Sequence, residues 1–267
     1  MEERTGLTGS TLKIIALISM VLDHISRIVL TNGIMMRATY GQISNSQWTI
    51  LETVADVTST LGRIAFPIFC FLIVEGFVHT HNLFKYMLTM LGFAFLSEGV
   101  YDYVCSGSIF SIEQQNVMFE FLLALVMLFL LRQLQKIPKL PKVPEIIGDL
   151  LVVFLFSVLS ERFYLDGGMY GILLIAVFYF FRSYKKTRFV AAVLVFLISA
   201  CHIVLGGFVF NWDNILDLTV AAEIVSLIPI SFYNGKRGLR QKYFFYVFYP
   251  LHLLLLYGCM LLIMRML

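Results

Sequence analysis

The sequence predicts an all-α integral membrane protein: a polytopic bundle of about nine transmembrane helices, in one domain covering residues 1–267. Of the 267 residues, 59% are apolar and only 14% are charged, and the mean hydropathy is +0.85. Soluble globular chains are about one-quarter charged. Apolar runs close to the roughly 20 residues that a helix needs to cross a bilayer follow one another along the chain, which leaves no length for a large soluble domain.

Nine apolar runs are predicted to span the membrane. The sixth is interrupted at its start by Asp166, Gly167 and Gly168, so the fifth and sixth could form a helical hairpin with a tight turn there. The segment Thr31–Thr60 is predicted to be the longest loop. The nine runs are Leu12–Leu30, Leu61–Thr80, Phe84–Val104, Val117–Leu134, Ile146–Phe163, Tyr164–Phe181, Phe189–Phe210, Leu216–Phe232 and Tyr243–Met264.

The basic residues predict the orientation, because Lys and Arg accumulate in cytoplasmic loops. With the N-terminus in the cytosol, 15 of the 20 basic residues lie inside, and the C-terminus lies outside. The basic loops could serve topology alone, or they could bind an anionic ligand such as a coenzyme phosphate. The best candidate for such a ligand is the segment Asn234–Gly238 with its flank, which carries Lys236, Arg237 and Arg240.

Ionisable residues inside the apolar runs are the first indication of function. Asp23 and His24 are adjacent in the first run. Placing an ionisable group at the bilayer centre of a transmembrane helix costs about 2.5–3.5 kcal/mol of insertion free energy. At 1.5 Å per residue, His24, His252 and His202 lie roughly 18, 14 and 20 Å from the inner ends of their spans. Each could be an ordinary core histidine, or the three could line one polar cavity.

Carboxylates follow the same pattern in the outer half of the bundle. They include Glu98, Asp102 and Glu223, and Arg63 could pair with Asp23 or Glu98. These groups could be ion pairs that fix the bundle, or they could form an acidic vestibule that attracts a cationic acceptor such as an amine.

Histidine suits proton transfer near neutral pH. Neighbouring residues on a helix point about 100° apart, so we expect Asp23 to face Arg27 or another helix rather than orient the ring of His24. No pattern such as His-Glu-x-x-His appears, and the four cysteines have no metal-binding spacing, so no metal site is predicted.

Several motifs give the chain a family resemblance. The Asp-His pair, Gly-Arg-x-x-Phe-Pro and Tyr-Pro-x-His occur in order, and together the chain resembles the TraX family of membrane proteins. That family is named for a conjugal-transfer protein that acetylates the N-terminus of pilin. The motifs also look like those of transmembrane acyltransferases, including sugar O-acetylases. The matching stretches are Leu12–Ile25, Gly62–Thr80, Phe95–Asp102, Gly168–Ile175 and Tyr233–Tyr257.

The resemblance implies transfer of an acetyl group from cytosolic acetyl-CoA to an amine or hydroxyl acceptor at the outer face of a bacterial cytoplasmic membrane. That acceptor could be the N-terminus of a pilin or surface polypeptide. His24, with Asp23, takes the catalytic role, and Arg63 and His252 are carried over as pocket residues. Relatives often have an Arg near Thr89 or Met90, which this chain lacks.

Two other functions remain open at this level. Intramembrane Asp, Glu and His could form the relay of a proton-coupled transporter, although no inverted repeat is evident. The chain could also be a non-catalytic factor in the assembly of pili or surface proteins. Membrane lipids are the expected surroundings in every case, and nucleic acid is not an expected partner.

Overall fold

The structure is a computed structural model that describes residues 5–38, 42–138, 141–201, 203–204, 207–208, 215–239 and 243–266. Helices make up most of these ranges, and one short pair of antiparallel strands, β1 (Ile203–Val204) and β2 (Gly207–Phe208), follows the eighth α-helix. A π-helix (Ile25–Met35) continues the first α-helix. The α-helices are α1 (Gly9–His24), α2 (Asn45–Gly62), α3 (Ala65–His79), α4 (Leu83–Ser106), α5 (Val117–Leu134), α6 (Lys142–Arg162), α7 (Gly168–Phe180), α8 (Lys185–Ala200), α9 (Leu218–Val225), α10 (Leu227–Ser231) and α11 (Phe244–Met266).

Within the described residues, six helical stretches are long and apolar enough to cross a membrane, which fits a multi-pass membrane protein. The predicted sixth and eighth spans coincide with shorter apolar helices, and the seventh coincides with α8, which ends at Ala200. The all-helical membrane architecture is therefore supported, whereas the count of nine and the cytosolic N-terminus stay predictions. The six stretches are Gly9–Met35, Asn45–His79, Leu83–Ser106, Val117–Leu134, Lys142–Arg162 and Phe244–Met266.

The prediction of a loop at Thr31–Thr60 is wrong. Most of this segment is helical, since the π-helix continues to Met35 and α2 begins at Asn45. A capping box starts α2: the Ser44 hydroxyl accepts from the backbone N–H of Gln47, and the Gln47 side chain accepts from the N–H of Ser44. The Ser-x-x-Gln pattern marks such a helix start, but the polar residues of α2 hid it from a search for apolar runs.

The chain divides into two compact units. The first contains residues 1–69, 99–110 and 212–267. Here α1 packs against α2, and the π-helix packs against both α2 and α11. An apolar cluster holds this junction together, and a Cβ added at Gly33 would lie 2.4 Å from Met260 Cγ, so only glycine allows the close approach. The cluster consists of Val29, Leu30, Ile34, Ala55 and Met260.

The second unit contains residues 70–98 and 111–211 and is built on α5, α6, α7 and α8. A tight hairpin joins α6 to α7, as predicted. Tyr164 and Gly168 adopt left-handed backbone angles, with φ of 53° and 52°. The Glu161 carboxylate accepts from the backbone N–H of Met169 at 2.7 Å, which satisfies a free donor at the start of α7.

Candidate active site

The Asp23-His24 pair lies where α1 changes into the π-helix. His24 is the last residue of α1, and the π-helix begins at Ile25. π-Helical turns are rare and occur often at functional sites, because the wider turn redirects side chains relative to an α-helix. This segment therefore gives the pair an irregular backbone within an otherwise apolar span.

His24 contacts His252 of α11 directly. The Nδ1 of His24 lies 2.7 Å from the Nε2 of His252, and the ring centroids are 4.8 Å apart. His252 is buried, with 4% of its surface exposed, and its ring stacks on Phe248 at 5.1 Å with an angle of 8° between the planes. His24 is half-buried and also meets the edge of Tyr249 at 6.3 Å. The structure thus brings together two of the three histidines expected to share a layer, while His202 lies outside the described residues.

The hydrogen bonds determine which nitrogen of each ring carries a proton. The Nδ1 of His252 lies 2.9 Å from the carbonyl oxygen of Phe248, and a carbonyl can only accept, so this Nδ1 is the donor. In a neutral ring the Nε2 of His252 is then an acceptor, and the Nδ1 of His24 must donate to it. The lone pair of His24 is therefore on Nε2, which has no hydrogen-bond partner within the described part of the chain. A basic nitrogen in this position can receive a proton from another molecule.

Asp23 faces α2 rather than the ring of its neighbour, as the 100° step along a helix leads one to expect. A Cβ added at Gly62 would lie 2.5 Å from Asp23 Cβ, so the two backbones touch at this point. Arg63 and Arg27 both lie near enough for their charges to act on Asp23. One turn earlier on α1, the Ser19 hydroxyl donates to the carbonyl oxygens of Leu61 (2.6 Å) and Gly62 (3.0 Å) at the end of α2.

The segment Asn234–Gly238 lies at the beginning of α1. Backbone carbonyls of Lys236 and Arg237 accept from the N–H groups of Gly9 and Ser10, both at 2.9 Å. These bonds occupy donors of the first turn of α1, whereas the side chains of Lys236 and Arg237 are exposed. His24 is 15 residues beyond Gly9, or about 22 Å along the helix. Arg240, the third predicted coenzyme contact, lies outside the described residues.

The three carboxylates predicted to attract a cationic acceptor have different surroundings. In the second unit, Glu98 accepts hydrogen bonds from the side chain of Asn116 and from its backbone N–H (3.1 Å), and Asn116 in turn caps α5. Asp102 belongs to the first unit and is buried, with 1% of its surface exposed. Glu223 is half-buried on α9, which packs against α2 in the first unit.

Two contributors to the site were not predicted from the sequence. The carbonyl of Phe248 sets the tautomer of His252, and Gly62 allows α2 to touch Asp23. A backbone carbonyl gives no signal in the sequence. The role of Gly62 could have been predicted from its place in the Gly-Arg-x-x-Phe-Pro motif, because it directly precedes Arg63, a possible partner of Asp23. No group of three or more potential metal ligands occurs in the ranges that the structure describes.

Comparison with known proteins gives a family assignment. The family profile described as "TraX protein" matches residues 8–260, which include both histidines. "Probable fimbrial assembly protein FimC, serogroup H1" of Dichelobacter nodosus is 26% identical over 269 residues, covering 96% of this chain and 97% of the relative. No solved structure matches the chain significantly. Because the profile extends over nearly the whole chain, this protein belongs to the TraX family.

Proposed function

We propose that the protein is an acetyl-CoA-dependent transmembrane acetyltransferase with His24 as its general base. The observation that carries the proposal is the hydrogen bond between His24 Nδ1 and His252 Nε2, since it leaves the lone pair of His24 on Nε2. A neutral imidazole whose other nitrogen is held by a fixed acceptor is the arrangement used by general bases in acyl transfer. His252, assigned above to the pocket by resemblance, becomes a positioning residue in this proposal.

The reaction follows from this geometry. Nε2 of His24 takes a proton from the hydroxyl or the uncharged amine of the acceptor as that group attacks the thioester carbonyl. An acceptor that arrives as an ammonium group first releases one proton to water. The Nδ1–H of the resulting imidazolium donates to His252, so the positive charge is stabilised while it exists. The C–S bond then breaks, and the proton passes from His24 to the departing sulfur. The products are the acetylated acceptor and coenzyme A.

The curated relative from Dichelobacter nodosus suggests where the acceptor is to be found. The relative from Dichelobacter nodosus is named as a probable fimbrial assembly protein, which supports a role for this chain in the assembly of pili or fimbriae. We infer that the acceptor is an amine or hydroxyl of a secreted polypeptide such as a pilin subunit. Asp102 and Glu223, in the same unit as His24, supply negative charge suited to a cationic amine.

The proposed setting is the bacterial cytoplasmic membrane with the N-terminus in the cytosol. The distribution of basic residues supports this orientation. Fusions of a fluorescent protein and of alkaline phosphatase after Gly238 and after Gly107 test it. The fluorescent protein should be active only at the first position, and the phosphatase only at the second; the reverse result would overturn the orientation.

The activity is tested with purified protein in nanodiscs, radiolabelled acetyl-CoA and a pilin-derived peptide with a free N-terminus. We expect His24→Gln to lower the transfer rate by about 10²- to 10⁴-fold, the usual contribution of a general base. Mass spectrometry of the peptide locates the acetyl group. Full activity of His24→Gln, or no transfer by the wild-type protein to any amine or hydroxyl, would refute the proposal.

A non-catalytic assembly role is the second candidate, and the name of the relative favours it. In that case the His24→Gln variant would support normal pilus assembly in cells, with no acetyl group on the subunits of the wild type. Electron microscopy of pili and mass spectrometry of their subunits therefore separate the two functions.

A further inference from the structure

The second unit contains a cleft that none of the roles above uses. Its volume is about 570 Å³, which is within the range of small-molecule sites. The cleft lies where α3, α5 and α7 end and α6 begins. Tyr179 and Phe180 give it aromatic walls, with ring centroids 5.6 Å apart, and Arg132, Arg182 and Asp149 give it charge.

Arg132 supplies a hydrogen-bond donor without an acceptor. Its guanidinium lies 4.5 Å from the ring centroid of Phe77, a cation–π contact that fixes its position. The Nε of Arg132 is buried and has no hydrogen-bond partner in the described part of the chain. A buried donor without a partner is costly, and a guanidinium is well suited to phosphate oxygens.

Asp149 supplies the complementary acceptor. Tyr179 donates its hydroxyl proton to Gln135 Oε1 (3.2 Å), and Gln135 Nε2 donates to Asp149 Oδ2 (3.0 Å). This chain of bonds fixes the Gln135 amide and leaves Asp149 Oδ1 buried, with no hydrogen-bond partner among the described residues. Two residues that line the cleft, Arg132 and Asp149, therefore each hold one buried polar atom without a hydrogen-bond partner among the described residues, a cationic donor and a carboxylate acceptor.

The other charges at the cleft are already paired. Arg182 Nε donates to Glu75 Oε1 at 2.8 Å, and Glu145 binds Lys142 at 3.2 Å. A ligand that completes the site must accept at Arg132, donate at Asp149 and present a flat face to the aromatic rings. An adenine nucleotide has these three properties: a phosphate, an exocyclic amine and a planar base.

We propose that this cleft binds an adenine nucleotide, with its phosphate on Arg132 and its 6-amino group on Asp149. The sequence favoured Lys236 and Arg237 for an anionic ligand such as a coenzyme phosphate. Those side chains are exposed, and they lack the buried, unsatisfied partners that the cleft provides.

Binding of coenzyme A and ADP to the full-length protein in nanodiscs, measured by calorimetry, tests the assignment. We expect Arg132→Gln to weaken both affinities by about 10- to 100-fold, because a charge-assisted hydrogen bond is lost. The matched control Arg237→Gln should bind within about twofold of the wild type. If Arg237→Gln loses affinity and Arg132→Gln does not, the assignment is overturned.

Asp149→Asn gives a second test that does not depend on Arg132. The amide oxygen of the new Asn keeps the bond from Gln135, so its N–H group faces the ligand instead of a carboxylate oxygen. The wild type should prefer ADP, which has a 6-amino group, over IDP, which has a 6-oxo group, by about tenfold. The variant should prefer IDP. An unchanged preference would refute the position of the base.

Two further measurements separate this proposal from its rivals. The His24→Gln variant should bind coenzyme A with wild-type affinity but lose acetyl transfer. A failure of the nucleotide site therefore appears as weaker binding, and a failure of the general base appears as slower transfer. Phosphatidylglycerol in the nanodiscs should not compete with ADP. Competition by this lipid would make the cleft a headgroup site and contradict the nucleotide assignment.

Discussion

Replacement of His252 by Phe tests the central feature of the proposed mechanism. The change keeps an aromatic ring beside Phe248 but removes the acceptor 2.7 Å from His24 Nδ1. Hydrogen bonds to charged groups contribute about 1.5–3 kcal/mol. When His24 becomes an imidazolium in the transition state, loss of this bond should lower kcat by about 10- to 150-fold, since 1.36 kcal/mol corresponds to tenfold. KM for acetyl-CoA should stay near the wild-type value, because His252 acts only through His24.

The assay is transfer to the peptide under saturating acetyl-CoA, with thermal unfolding as the control for folding. His252→Gln keeps an acceptor near the position of Nε2 and should recover activity to within about tenfold of the wild type. In a background of His24→Ala, the change to Phe should have no further effect, because residues that act as a unit are not additive. Wild-type kcat for His252→Phe, or a full additional loss in the double variant, would show that the ring pair does not work as described.

Two predictions concern stability, measured as Tm of the purified protein. Gly62→Ala would place a methyl group 2.7 Å from the backbone of α1 and should destabilise the protein by about 1–3 kcal/mol. The control is Gly92→Ala, where an added Cβ meets nothing within 4 Å, and it should be neutral or slightly stabilising. Equal effects of the two changes would refute the close contact at Gly62. Glu75→Gln keeps an acceptor oxygen but removes the negative charge that pairs with Arg182 at a buried position, and it should cost about 1–3 kcal/mol. The exposed ion pair between Glu145 and Lys142 contributes about 0–1 kcal/mol, so the Glu145→Gln variant should unfold close to the wild-type temperature. A larger loss of stability for Glu145→Gln than for Glu75→Gln would contradict the argument from burial.

Local composition was enough to predict the class of fold. Apolar runs of membrane length must become helices, because backbone groups in a bilayer have to satisfy one another within the segment. The tight turn after Arg162 was also predictable, since Asp166-Gly167-Gly168 marks a turn within apolar surroundings. Helix α2 was missed because its polar residues mask an amphipathic helix, and only the capping box at Ser44 marked its start.

The composition of the site was predictable, but its connections were not. Asp23, His24, Arg63 and His252 could each be picked out as polar groups in apolar segments, since burying such groups is costly. The sequence left open which of them touch, because 228 positions separate His24 from His252 and a helical pattern does not specify the rotation of one helix against another. Tertiary packing alone made the two rings meet and turned Asp23 toward α2. It also left Asp149 Oδ1 and Arg132 Nε, two buried atoms on residues that line one cleft, without a hydrogen-bond partner among the described residues.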